Sequence, residues 1–184
     1  MRSFPPLADP LAGGAVTLRD YAERDIPEIL IAHEDDPQLH VLTGEDRPPS
    51  GAELGRAAER EASERGIGEG ATLTILEPGD DACRGQIRVH PVDWEQSRAE
   101  VGIWLAPQVR GRGMGREALR LAGGWLLGAC GLARLEVFVE PDNAPMIRAA
   151  EAAGFVREGV LREYLRKRGR GVDTVIMSLI PGDI

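Results

Sequence analysis

Cysteine and histidine are scarce: Cys83 and Cys130 form no close CxxC pair, and the three histidines do not cluster. Neither a zinc site nor a disulfide framework is indicated, and reduced thiols in a cytoplasmic protein are the expectation. No metal is expected. No run approaches the roughly 20 apolar residues of a membrane span, and residues 1–10 lack the apolar core of a secretion signal. Secretion and membrane insertion are therefore not expected. Positive charge is also in deficit, 22 Lys and Arg against 30 Asp and Glu, for a formal charge of -8. That balance disfavours nucleic acid or anionic lipid as a partner and suits a cationic one. What remains is 184 residues, 42% hydrophobic and 28% charged, enough for one soluble domain with a real core.

A Pro- and Gly-rich lead-in covers residues 1–14, and a domain of residues 15–184 follows. Alternation at 15–18 predicts a first strand. Asp25 and Pro27 suit the start of a helix running to about His33, and residues 33–49 read as loop. Ser50 caps a second helix through Arg65, stopped by Gly66, Gly68 and Gly70. Strands at 71–76, 85–92 and 97–105, punctuated by the turn residues 78–81, make an antiparallel meander. The order then changes to a Gly-rich loop, a long helix over 115–130, a strand at 133–139 and a helix over 143–153. A final hairpin pairs 155–161 with 172–180 around a polar tip at 162–171. Strand, Gly-loop, helix and strand in succession imply a beta-alpha-beta crossover within a mostly antiparallel sheet.

The loop Arg110-Gly111-Arg112-Gly113-Met114-Gly115 lies between a strand and a helix, so its amides and the helix N-terminus converge on one phosphate-bearing group. Arg110, Arg112 and Arg116 add positive charge suited to a pyrophosphate or ribose phosphate. A Rossmann loop is a poor fit, because the spacing is GxGxG and antiparallel hairpins precede it. The Gly-Lys-Ser/Thr ending of a Walker A loop is missing. On the residues alone, a tight strand-to-helix turn with solvated arginines stays open.

Arg110, Gly113 and Gly115 match the Gln/Arg-x-x-Gly-x-Gly/Ala hallmark of the GNAT acyltransferase superfamily, which the sequence resembles over roughly residues 15–180. Asn143 followed by Glu151, Gly154 and Phe155 resembles the Asn-to-Glu-x-x-Gly-Phe block of the branch containing the Rim-type ribosomal-protein acetyltransferases. The resemblance implies an α/β GNAT fold: a twisted, mostly antiparallel central sheet with a parallel pair at its centre, flanked by helices. It implies acetyl-CoA, or another acyl-CoA, as co-substrate, entering where the two parallel strands separate. The amides of residues 111–116, Met114 among them, would hold the pyrophosphate. The backbone of Ile103, Trp104 and Leu105 would pair with the pantetheine arm and offer an amide to the thioester oxyanion. Asn143 caps its helix, contacts the pantetheine arm or thiol, or does both.

Resemblance also implies an amine acceptor on a small molecule or protein N-terminus, direct transfer in a ternary complex, and a homodimer as an allowed state. The attacking amine must lose a proton, since an alkyl amine near neutral pH is mostly charged. Glu100, at the start of the strand leading to the acyl site, resembles the family's frequent general base. The usual general acids are missing: Met146 stands at the serine-like position and Ala150 at the tyrosine-like one. The departing thiolate is then protonated by water, by Tyr164 or by another side chain, Tyr164 being the candidate residue. His90 either joins a proton path or ends a strand, the acidic stretch His33 to Asp36 either meets an amine or is solvated loop, and Trp94 and Trp104 either line a pocket or fill the core. A CoA-binding sensor without turnover and a nucleotide-binding protein are the rival functions.

Overall fold

The computed structural model describes residues 3–167 and 169–184. Its sheet has eight strands: β1 (Leu11–Ala12), β2 (Thr17–Asp20), β3 (Ala71–Leu76), β4 (Gly85–Asp93), β5 (Arg98–Leu105), β6 (Arg134–Val139), β7 (Val156–Lys167) and β8 (Arg170–Leu179). Their spatial order is β1-β2-β3-β4-β5-β6-β8-β7. Every neighbouring pair is antiparallel except β5 with β6, which is parallel. The mixed, mostly antiparallel sheet with a central parallel pair is thus as expected.

Among the described residues five α-helices flank it: α1 (Ile26–Asp35), α2 (Leu39–Leu42), α3 (Gly51–Ile67), α4 (Met114–Gly128) and α5 (Ala144–Ala152). Ser50 caps α3 through a capping box in which its side chain accepts from the Glu53 amide, and Gly68 closes the helix in the left-handed region. On α4, Met114, Ala118, Leu119, Ala122, Trp125 and Leu126 recur at helical spacing and are all buried, giving one apolar face against the sheet. Opposite them Ile87, Val89, Leu135 and Met177 are 0–1% exposed. Burying a side chain of this size contributes about 1.5–3 kcal/mol.

Three local expectations are corrected. The stretch 33–49 is not all loop: Leu39, fully buried, anchors the short helix α2. The hairpin tip at 162–171 is largely strand, because β7 and β8 keep pairing out to Lys167 and Arg170. Polar side chains mislead there, since the outer end of a hairpin is hydrogen-bonded along its backbone whether or not it covers a core. Asp25 precedes α1 but makes no side-chain cap. Its carboxylate instead accepts from Arg19 at 2.6 and 2.9 Å, from Thr74 Oγ1 at 2.7 Å and from the Ala22 amide at 3.0 Å. Asp25 is 1% and Arg19 8% exposed, so a buried ion pair ties the start of α1 to β2 and β3.

The lead-in packs onto the domain. Phe4 is buried against Trp94 and Trp125, with ring centroids 5.2 and 6.1 Å apart. The Gly14 and Ala15 amides donate to the Glu117 carboxylate at 2.7 and 2.5 Å, fastening this segment to the first turn of α4.

Candidate active site

The parallel pair carries the defining geometry. β5 and β6 are in register only at Arg98↔Arg134, Ala99↔Leu135 and Glu100↔Glu136. β5 nevertheless follows β4 out to Leu105, and β6 follows β8 out to Val139. Beyond Glu100 and Glu136 the two strands therefore part, opening a wedge whose β5 side is residues 101–105. The orientation of its backbone follows from one bond: the Ala106 amide donates to the Arg84 carbonyl at 2.8 Å, which makes 106 and 84 a hydrogen-bonded antiparallel pair. By alternation, Trp104 and Gly102 also turn their polar groups to β4, whereas Val101, Ile103 and Leu105 turn theirs to the wedge. The Leu105 carbonyl confirms the phase, since it accepts from Arg110 Nε at 2.9 Å on the side away from β4.

At the foot of the wedge lies the Gly-rich loop. Gly111 and Gly113 have φ of 75° and 79°, where a Cβ is unfavourable, and Gly113 is the N-cap of α4. Among the described residues, no amide of 111–116 donates a hydrogen bond; the first bond of the helix runs from Glu117 to the Gly113 carbonyl. These donors, with the positive end of α4, suit an anion. The three arginines divide. Arg110 is committed to the Leu105 carbonyl and to Asp36 at 2.7 Å, and so braces the loop against β5 and the end of α1. Arg112 is exposed, with one contact to Glu77 at 3.3 Å, and Arg116 is exposed. Asn143, beyond the end of β6, caps α5 by accepting from the Met146 amide at 3.3 Å. Its Nδ2 donates to no described residue, so capping leaves the amide nitrogen available.

On the sheet face away from α4, an open pocket of about 440 Å³ is lined by Asp93, Glu100, Glu136, Phe138, Leu161 and Tyr164 among others. It brings together Glu100 and Tyr164, which are 64 positions apart in the chain (100 to 164). Phe138 and Tyr164 stack, with centroids 5.1 Å apart and planes 15° apart. Sequence reasoning missed Glu136 and Phe138. The signal was present in the alternation of 134–139, which puts 134, 136 and 138 on one face, but only the parallel register sets Glu136 beside Glu100.

The two carboxylates are unequal. Arg134 Nε reaches Glu136 at 2.7 Å, and the same guanidinium grips Glu158 at 2.6 and 2.8 Å, with Ser178 completing the chain. Among the described residues Glu100 has no hydrogen-bond or ion-pair partner. Burial first, and the negative charge of Glu136 second, raise the Glu100 carboxyl above its ordinary value.

Other candidates fall outside this pocket. His90 is exposed and does not line it. Trp94 packs on Phe4 and donates to the Gly68 carbonyl at 2.7 Å, a structural role. Trp104 bonds Gln86 at 3.2 Å and lies 6.4 Å from the ring of His33. Of the acidic stretch, Asp36 is bound to Arg110 while Glu34 and Asp35 are exposed. Met146 is half-buried against the core and Ala150 fully buried, so neither position supplies a hydroxyl. Among the described residues no cluster of three or more His, Cys, Asp or Glu could hold a metal, and no helix is long and apolar enough to cross a membrane.

A sheet split between parallel strands above a glycine loop that opens a helix is the donor-site architecture of acyl-CoA transferases of the GNAT fold. Residues 15–156 match the family described as Acetyltransferase (GNAT) domain, and the chain belongs to that family. It is 31% identical over 113 residues to p20 of Bacillus licheniformis, named an uncharacterized N-acetyltransferase, covering 61% of this chain and 64% of that protein. The matches span less than two thirds of the length of the curated relatives, from 47% to 64%. Among solved structures, Mycobacterium smegmatis RimJ in complex with CoA-disulfide superposes with a TM-score of 0.85 at 24% identity, over 100% of this chain and 92% of that one. The spermidine N-acetyltransferase of Vibrio cholerae in complex with CoA and spermine gives 0.80 at 20% identity, over 93% and 98%. Both likenesses bear on the fold.

Proposed function

We propose that this protein transfers an acetyl or other short acyl group from acyl-CoA to a primary amine of a small molecule or protein N-terminus. The observation that carries this is the parting of β5 from β6 directly beyond Glu100, with unengaged loop amides at one end and a carboxylate pocket beside it. The pantetheine arm lies along β5 as a substitute strand, using the backbone groups of Ile103 and Leu105. The pyrophosphate is held by the amides of residues 111–116, with Arg112 and Arg116 supplying charge. Asn143 Nδ2 meets the arm from the α5 side. Glu100 takes the proton of the attacking ammonium, and the wedge-facing amides of β5 stabilise the oxyanion of the tetrahedral intermediate. Tyr164 protonates the departing thiolate, replacing the hydroxyls that Met146 and Ala150 lack. Neither cysteine is a nucleophile, since burial pushes both thiols up to about 12 and transfer is direct. With Cys83 buried, Cys130 half-buried and both thiols free, we read the setting as reducing and cytoplasmic.

Release of free CoA from acetyl-CoA, followed with a thiol reagent in the presence of short peptides, polyamines and amino acids, tests this directly. Amine-dependent thiol release is expected. Acetyl-CoA binding with no turnover on any amine would favour instead a CoA sensor, for which the missing hydroxyls at 146 and 150 are the supporting observation. On the donor side, Arg112→Glu is expected to weaken acetyl-CoA binding about tenfold, the loss of one charge-assisted phosphate contact of roughly 1.4 kcal/mol. Calorimetric titration measures it, and an unchanged dissociation constant would remove Arg112 from the site.

A further inference from the structure

Tyr164 reaches the pocket only because β7 is irregular. Leu161 pairs with Thr174 and Leu165 with Val172, so the three residues 162–164 stand opposite Asp173 alone. Side chains alternate along a strand, and Leu161 lines the pocket. In a regular β7, Glu163 would share the side of Leu161 and Tyr164 would point the other way. Within the bulge that alternation breaks, and the Tyr164 ring, still 53% exposed, stacks on Phe138 at the edge of the pocket.

Two features of β8 hold the bulge. Glu163 has φ of 51°, a left-handed conformation uncommon for a residue with a long side chain, and its amide donates to Asp173 Oδ1 at 2.9 Å. Gly171 lies beneath Glu163: a Cβ there would stand 2.7 Å from the Glu163 Cβ and 2.8 Å from its Cγ, closer than atoms tolerate. We propose that Asp173 and Gly171 are positioning residues, which build the 162–164 bulge and thereby deliver Tyr164 to the acyl-transfer site. The catalytic consequence rests on Tyr164 as the proton donor to the thiolate.

The chain has two tyrosines, Tyr21 and Tyr164, so ring-labelled protein reports the Tyr164 to Phe138 contact as a nuclear Overhauser effect. In Asp173→Ala that contact is expected to vanish and kcat to fall about tenfold with KM for acetyl-CoA unchanged. Asp173→Asn keeps an Oδ1 acceptor and both signals. In the double variant Glu163→Gly with Asp173→Ala, glycine accepts the left-handed backbone without the clamp and restores the contact. Tyr164→Phe should lower kcat by roughly ten- to a hundredfold, and Asp173→Ala should then add no further loss, as residues acting through one group are not additive. A retained ring contact in Asp173→Ala overturns the positioning role whatever the rates. A lost contact together with full activity of Tyr164→Phe leaves the positioning intact and overturns Tyr164 as the acid.

Discussion

Replacing Glu100 with glutamine is expected to leave acetyl-CoA binding intact and to lower kcat by about a hundredfold or more, the usual contribution of a positioned general base. Glutamine fills the same space on β5 but cannot accept the ammonium proton. Wild-type kcat/KM should fall on the acid side as Glu100 becomes protonated, and burial and Glu136 place that limb above the ordinary carboxylate range. In Glu100→Gln that limb disappears. Glu136→Gln removes the negative neighbour, so the limb should move to lower pH while activity persists. Steady-state rates across pH 4–9 measure all three proteins. A Glu100→Gln enzyme with the wild-type rate and acid limb would exclude Glu100 as the base.

The second large effect is on stability. Asp25→Ala should cost about 3 kcal/mol, the low end for breaking a buried ion pair, because Arg19 keeps a 3.0 Å contact with Asp81. Burial pushes the Asp25 carboxyl up, but the hydrogen bonds from Arg19, Thr74 and Ala22 and the charge of Arg19 outweigh it, leaving the group below its ordinary value. A carboxyl depressed by folding stabilises the native state fully above its unfolded pKa of about 3.9 and less as pH falls through the folded value. The difference between wild type and Asp25→Ala, taken from urea midpoints at several pH values, should therefore be largest near neutrality and shrink in acid. A constant difference across that range would show that packing, and not the charge pair, carries the effect. Because Asp36, the residue that follows α1, holds Arg110, damage at Asp25 should also loosen the donor loop.

The sequence made the donor half of this protein readable because its constraints are local. Gly111 and Gly113 are needed where the backbone turns left-handed, and elsewhere Ser50 and Glu53 sit at capping-box spacing. The acceptor side depends on register, which local pattern does not encode. Glu136 lies beside Glu100 through a parallel ladder of three pairs, and Tyr164 meets Phe138 through the bulge of two extra residues in β7. Asp25 was misread for a related reason: its type and position suit a cap, but a buried arginine six residues earlier, on β2, competes for its carboxylate and wins. Arg110, read from the sequence as charge for a phosphate, also holds the Leu105 carbonyl and Asp36, partners that no local pattern announces.

Residue-resolved hydrogen exchange with and without saturating acetyl-CoA tests the donor cleft most directly, because the wedge-facing amides of β5 are distinguishable from their neighbours. Protection is expected at Ile103 and Leu105 and across residues 111–116, with Trp104, already bonded to β4, unchanged and with no such pattern from ATP. Binding of acetyl-CoA without protection at Ile103, Leu105 or the loop would contradict the assignment of the cleft between β5 and β6.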